Sequence, residues 1–347
     1  MKIEETHVTE AGTEDPPAYK KKDFMSDQAI RWCPGCGDYS ILSQVQTVLA
    51  NKGVAPHNVA VLSGIGCSSR FPYYMNTYGF HTIHGRAPAF TSAVKCVNPE
   101  LSVWMITGDG DGLSIGGNHT AHLLRRNVDI VAMLFNNRIY GLTKGQYSPT
   151  SEVGKKTKST PLGSLDAPFI PLKFALGARG TFIARSVDVF AKHLRETLAK
   201  ADEHRGCGFV EIYQNCNIFN DGAFAGFTGR KVRDDHVLYL EHGQPMTFGS
   251  KDAPKGVIME NMRPKVVDLG EQYSEADCIV HDETNAILAG MLVEWDYPEF
   301  PVPVGVFYRE ERTPYDAAFN AQLAEAKASK DADLAALMAG RQTWTVD

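Results

Sequence analysis

Apolar positions in this chain follow two rhythms in turn, a helical spacing and short continuous runs. From Asp38 onward, Ile41, Leu42, Val45, Val48 and Leu49 line one stripe of a helix that Asp38 can cap and Gly53 stops. Residues 59–62 read as a short buried strand that ends in Ser63-Gly64-Ile65-Gly66-Cys67. Residues 101–107 form the next strand and run straight into Gly108, and residues 114–126 form a helix entered through Gly116-Gly117. Residues 129–135 are almost uniformly apolar, as a parallel strand buried on both faces requires, and they stop at Asn136-Asn137. A strand over 181–184, a helix over 187–204 and a strand over 208–214 continue the alternation. Residues 143–168 are polar and read as one long loop, a length usually tied to function or disorder. Beyond 217 the pattern weakens to one short buried strand at 278–280 and an Ala-rich helical tail over 317–340.

Strands alternating with helices predict an α/β fold, a doubly wound and mainly parallel sheet with right-handed crossovers. Ligands in such sheets lie beyond the carboxyl ends of the strands, where Cys67, Gly108, Asn137 and Cys216 should gather. Three parts are expected: an arm over 1–30 carrying Pro16-Pro17 and Lys20-Lys21-Lys22, an α/β domain over 31–217, and a partner-contacting C-terminal extension over 218–347.

Composition changes this picture little. The chain has 347 residues, 43% hydrophobic and 22% charged, enough for a sizeable core. A net charge of −6 argues against nucleic acid as a partner, and no apolar stretch is long enough for a membrane span. The polar N-terminus lacks an apolar segment of the secretory kind, so a cytoplasmic protein is expected.

The chemistry lies in two constellations. Gly108-Asp109-Gly110 and Asn136-Asn137 bring a carboxylate and an amide oxygen to one sheet edge, hard ligands suited to Mg²⁺ and, through it, to a diphosphate. The glycines let the backbone approach phosphates closely. The carbonyl of Ile139 is the expected third protein ligand. Seven cysteines make disulfides a poor explanation in a cytosolic chain. Cys33 and Cys36 sit in one C-x-x-C loop, Cys67 follows one strand and Cys216 another. Four converging thiolates suit a [4Fe–4S] cluster or a structural Zn²⁺, and spacing alone does not separate the two. Cys96, Cys207 and Cys278 read as small buried apolar residues, with Cys207 the rival for the fourth position. His281-Asp282-Glu283 reads as solvated surface rather than a further metal site.

Six motifs occur in order: Trp32-Cys33-Pro34-Gly35-Cys36-Gly37, Gly64-Ile65-Gly66-Cys67-Ser68-Ser69-Arg70, His84-Gly85-Arg86-Ala87, Gly108-Asp109-Gly110-Asp111, Asn136-Asn137 and Tyr140-Gly141-Leu142-Thr143-Lys144-Gly145-Gln146. Over about residues 24–325 the chain resembles the β subunit of 2-oxoacid:ferredoxin oxidoreductases, and its 2-oxoglutarate branch in particular. The resemblance implies a diphosphate-half thiamine fold holding thiamine diphosphate, Mg²⁺ and one [4Fe–4S] cluster rather than zinc. Cys33, Cys36, Cys67 and Cys216 would hold the cluster, and Asp109, Asn137 and Ile139 the Mg²⁺. Ser68, His84, Gly85, Arg86, Gly108, Gly110, Asp111, Leu142 and Thr143 would line the cofactor, with Arg70 and Lys144 as the candidate catalytic residues. The implied reaction decarboxylates a 2-oxoacid oxidatively, gives the acyl group to coenzyme A and passes electrons through the cluster to ferredoxin. An α subunit should supply the glutamate that activates the cofactor, within an (αβ)₂ heterotetramer. Arg70 could pair bidentately with the distal carboxylate of 2-oxoglutarate. The alternatives are a pyruvate or broad-specificity enzyme and, from another class, a non-catalytic zinc-stabilised or electron-transfer subunit.

Overall fold

The apolar run before Asn137 becomes strand β4 (Ile130–Asn136), every residue of it buried, near the middle of an eight-stranded sheet in the computed structural model, which describes residues 18–329 and 333–344. Both faces of β4 are in use. Val131, Met133 and Phe135 point into one apolar cluster, and Ile130, Ala132 and Leu134 into another on the opposite face. A period-2 side-chain alternation with apolar residues at every position has to be covered on both sides. Helices α1 (Asp38–Lys52) and α5 (Ala191–Glu203) cover one face; α2 (Ala87–Val97), α3 (Gly117–Arg126) and α4 (Pro171–Gly177) flank the other. α1 buries the predicted stripe Ile41, Leu42, Val45, Val48 and Leu49, and Gly53 ends it in the left-handed conformation (φ 72°) that glycine adopts without strain.

The strands are β1 (Val59–Ser63), β2 (Tyr78–His81), β3 (Ser102–Gly108), β4, β5 (Phe182–Val187), β6 (Cys207–Tyr213), β7 (Val237–Leu240), β8 (Thr247–Ser250), β9 (Ala253–Glu260), β10 (Arg263–Asp268) and β11 (Val302–Arg309). The large sheet runs β2-β1-β3-β4-β6-β5-β11-β7; its first six strands pair in parallel, and β11 pairs antiparallel with β5. A separate antiparallel sheet holds β10-β9-β8. No described helix is long and apolar enough to cross a membrane.

Several expectations need correction. The segment 218–347 supplies β7 and β11 to the large sheet, so it is continuous with the sheet of 31–217. The helix expected over 114–126 begins earlier: a helical turn starts at Asp109, passes through a π turn at Asp111–Ile115 and continues as α3. No strand forms at 278–280; Val280 makes a single bridge to Pro245 instead. His281 is not surface: it is buried, with its Nε2 bonded to the Val306 carbonyl. The Pro16-Pro17 part of the arm lies outside the described residues, but the rest packs inward through fully buried Phe24.

Candidate functional site

Strands β1, β3, β4 and β6 are consecutive neighbours, and they end at Ser63, Gly108, Asn136 and Tyr213. Cys67, Asp109, Asn137 and Cys216 therefore stand just past four adjacent strand ends, as the topology predicts. Asp109 opens the helical turn directly behind β3, a position where unpaired N–H groups favour anions. The π turn that follows is a form often found at functional sites.

Asp109 is 2% exposed, and its Oδ2 accepts hydrogen bonds from Ser148 and Thr150, each at 2.5 Å. Both hydroxyls come from the long loop, which folds back over the acid. Nothing in the sequence marked them, because a Ser or Thr in a Ser/Thr-rich loop carries no motif. Burial pushes the Asp109 carboxyl up to about 6, relieved in part by these two hydroxyls and by the Gly110 N–H. No basic side chain pairs with it among the described residues. A buried acid without a counter-charge fits a cation site. Asn137 donates its Nδ2 to Gln214 at 2.9 Å, which leaves its Oδ1 on the other branch, near the Ile139 N–H at 3.2 Å. Carboxylate, amide oxygen and peptide carbonyl make an all-oxygen donor set of the kind Mg²⁺ takes.

This carboxyl carries a pH signature. A folded-state value near 6, above the usual 3.8, means that the fold without a cation loses stability as pH rises through that window. Cation binding needs the ionised form. A cation held by Asp109 is therefore expected to bind more weakly as pH falls from neutrality into the acid range, a direction that calorimetric Mg²⁺ titrations at pH 5, 6 and 7 would measure.

Asp111 is equally buried but faces the other way. Its Oδ1 accepts from Ile65 N, Gly85 N and His84 Nδ1, at 3.1, 2.7 and 2.5 Å, and its Oδ2 accepts from Thr107 at 2.7 Å. With its oxygens so engaged it positions two loops and the end of β3 rather than a ligand. His84 keeps Nε2 as its free ring nitrogen, and Arg86 reaches the Ile115 carbonyl at 3.5 Å. Ser68 places its hydroxyl over Gly108, 3.7 Å from where a Cβ would stand. Gly110 has to be glycine because a Cβ there would run into the Tyr140 ring, whose hydroxyl bonds the Gly110 carbonyl. Beneath Asn136 lies a charge pair the motifs did not reveal: Arg185 and Glu211, opposite one another on β5 and β6, bonded at 2.8 Å and shut between the rings of Tyr213 and Phe307.

The four predicted cysteines line one cavity of about 260 Å³, together with Asp38, Asn137, Gly141, Gln214, Arg70 and Lys144 among others. Gly141 leaves room for them; a Cβ there would lie 3.5 Å from Cys67 Sγ and 3.7 Å from Cys216 Sγ. Burial, and then the Asp38 carboxyl, pushes Cys36 upward and Cys67 up to about 11. Thiols that resist ionisation this strongly need a positive centre to become ligands. No three His, Cys, Asp or Glu side chains among the described residues close on one point as a lone ion demands. The four thiols instead share the wall of one cavity, which leaves room among them for a polynuclear cluster. Cys207 lies at the opposite end of β6, wholly buried in the core.

Leu142, Thr143 and Lys144 form the tip of a tight turn closed by the Tyr140–Gln146 bridge. All three are exposed, and Leu142 and Lys144 line the cysteine cavity. Arg70 lines both that cavity and an adjoining groove of about 470 Å³ that also takes in Arg31, His81, Ile65 and Gly66, with no acidic residue among its walls.

Residues 64–212 match the family described as thiamine pyrophosphate enzyme, C-terminal TPP binding domain. The chain is 48% identical, over 96% of its own length and 90% of the relative's, to the 2-oxoglutarate oxidoreductase subunit KorB of Mycobacterium tuberculosis. It is 44% identical to the 2-oxoacid:ferredoxin oxidoreductase 1, subunit beta, of Aeropyrum pernix, over 55% of this chain and 60% of that one. The solved 2-oxoglutarate:ferredoxin oxidoreductase from Magnetococcus marinus, with 2-oxoglutarate, coenzyme A and succinyl-CoA bound, superposes with a TM-score of 0.74 at 31% identity, covering 94% of this chain and 97% of its own.

Proposed function

Because this chain belongs to the β subunits of the 2-oxoacid:ferredoxin oxidoreductases, we propose that it is the β subunit of a 2-oxoglutarate:ferredoxin oxidoreductase. Its complex converts 2-oxoglutarate and coenzyme A to succinyl-CoA and CO₂ and passes the electrons to ferredoxin. The observation that carries this reading is a shared wall: Asn137, a member of the cation set, also lines the cavity of the four cysteines. Two centres so close suit a reaction that must move electrons from one to the other.

Asp109, Asn137 and the Ile139 carbonyl hold Mg²⁺, and Cys33, Cys36, Cys67 and Cys216 hold the [4Fe–4S] cluster. Thiamine diphosphate supplies the electron sink for decarboxylation, and the cluster the one-electron relay. Ser68, Gly108 and Gly110 leave the diphosphate a close approach to the backbone, while His84 and Arg86 flank it. Arg31 and Arg70 bind the two carboxylates of the substrate in the groove beside Gly66. Arg70→Ile is therefore expected to raise the KM for 2-oxoglutarate about tenfold or more, while turnover of pyruvate, which has no distal charge, changes little; paired steady-state assays read the ratio.

Lys144, Lys155, Lys156 and Lys158 line an open groove next to the cysteine cavity, again without an acid among its walls, and offer an electropositive approach to the electron acceptor. The partner α subunit, carrying the glutamate, covers the exposed apolar face of Tyr78, Phe80, Ile83, Phe90 and Ile115, which adjoins His84 and Arg86. An anaerobic visible spectrum of the complex tests the whole reading. Broad brown absorption should bleach on addition of 2-oxoglutarate and coenzyme A; a colourless complex, or one that no 2-oxoacid bleaches, rejects it.

A further inference from the structure

One side chain bonds both Asn137 and Cys36. Gln214 follows β6 directly and is 2% exposed. Its Oε1 accepts the Nδ2–H of Asn137 at 2.9 Å. Its Nε2 donates to Cys36 Sγ at 3.2 Å and to the Asn215 carbonyl at 2.7 Å. Both amide hydrogens and the amide oxygen therefore have partners, and these partners fix which way round the amide sits: turned over, it would point N–H at N–H on the Asn137 side. The backbone supports the placement, since Gln214 N bonds the Asn136 carbonyl and Gly37 N bonds the Asn215 carbonyl. Gly37 lies alongside; a Cβ there would strike the Asp188 carboxylate and lie 3.0 Å from Gln214 Cγ.

We infer that Gln214 is a positioning residue that ties the cation site to the cysteine-held cluster. On one side, holding Asn137 Nδ2 turns that residue's Oδ1 toward the cation. On the other, an N–H donor on a ligating sulfur stabilises the reduced, more negative state of the cluster, because hydrogen bonds to sulfur are among the determinants of cluster potential. Replacing the amide should disturb both centres in predictable directions. The inference rests on the functional reading above, and its test separates the two.

The test uses the complete anaerobic α–β complex, with an EPR-monitored reductive titration of the cluster and a Mg²⁺ titration of thiamine diphosphate binding to stripped protein. Gln214→Met, apolar and of similar length, is expected to move the midpoint potential in the negative direction. It should also raise the half-saturating Mg²⁺ about tenfold, the usual penalty for losing a partner behind a metal ligand. Gln214→Glu keeps an acceptor for Asn137 but has no donor for Cys36, so it should move the midpoint negatively without raising the Mg²⁺ demand. A glutamine that merely fills space would lower thermal stability and leave both titrations at their wild-type values, and that result overturns the inference. If a variant assembles no cluster, the Mg²⁺ titration decides, since it needs none: unchanged demand in Gln214→Met again overturns it. A wild-type complex with no cluster signal, or no Mg²⁺ dependence, would instead remove the functional reading.

Discussion

Asp109→Ala is expected to reduce 2-oxoglutarate oxidation by the α–β complex by well over about 100-fold, since even a partner behind a metal ligand is worth 10–100-fold and here the ligand itself goes. The fold should survive. An ionised acid buried at 2% exposure, with hydroxyl donors but no basic partner among the described residues, costs stability at neutral pH, so its removal returns part of what the loss of two hydrogen bonds takes away. The melting temperature of the variant without cofactor should lie within a few degrees of wild type. Asp111→Ala, two residues on, should behave oppositely. It removes the acceptor of four hydrogen bonds from two loops and the end of β3, each bond to a charged group being worth about 1.5–3 kcal/mol before non-additivity, and should melt markedly earlier. Activity assays paired with thermal melts distinguish the two. Catalysis persisting in Asp109→Ala at saturating Mg²⁺ would contradict the cation assignment.

The second large effect separates the cysteines. Cys216→Ala is expected to give a complex with little cluster iron, no brown absorption and no ferredoxin reduction, because one corner of the cluster is lost. Cys207→Ala should keep its iron and its spectrum. That residue sits at the far end of the same strand, across from Ile130 and in the same apolar cluster as Phe209, and its loss leaves a small core cavity costing on the order of 1–2 kcal/mol. Iron content per complex and the visible spectrum read both variants. A retained cluster in Cys216→Ala together with a lost one in Cys207→Ala would reverse the assignment of the fourth ligand.

What could be read along the chain was whatever repeats locally. The stripe of α1 and the two-sided run of β4 predict their elements almost to the residue, because one kind of burial governs each over its full length. Strands that carry a locally disfavoured residue escaped. β5 runs to Val187, past the expected 181–184, and Arg185 continues the strand since Glu211 stands directly across in register. β11 hid behind Pro301 and Pro303, residues that argue against a strand until its partners β5 and β7 are known. The site divides in the same way. The residues proposed as ligands, Cys33, Cys36, Cys67, Asp109, Asn137 and Cys216, lie in compact motifs or just past strand ends. Ser148, Thr150 and Gln214, which orient them, come from a featureless loop and a strand terminus, and only the folded chain brings them to Asp109, Asn137 and Cys36.

Asp111 joins the loop after β1, the loop before α2 and the end of β3 through a single carboxylate. Three segments that would otherwise fluctuate separately therefore move as one body. The ordering entropy of the cofactor pocket is spent when the chain folds rather than when the cofactor arrives, so the affinity that remains is free of that charge. A pocket preorganised in this way should take up its cofactor by simple one-step association, with a rate set by encounter instead of by loop closure.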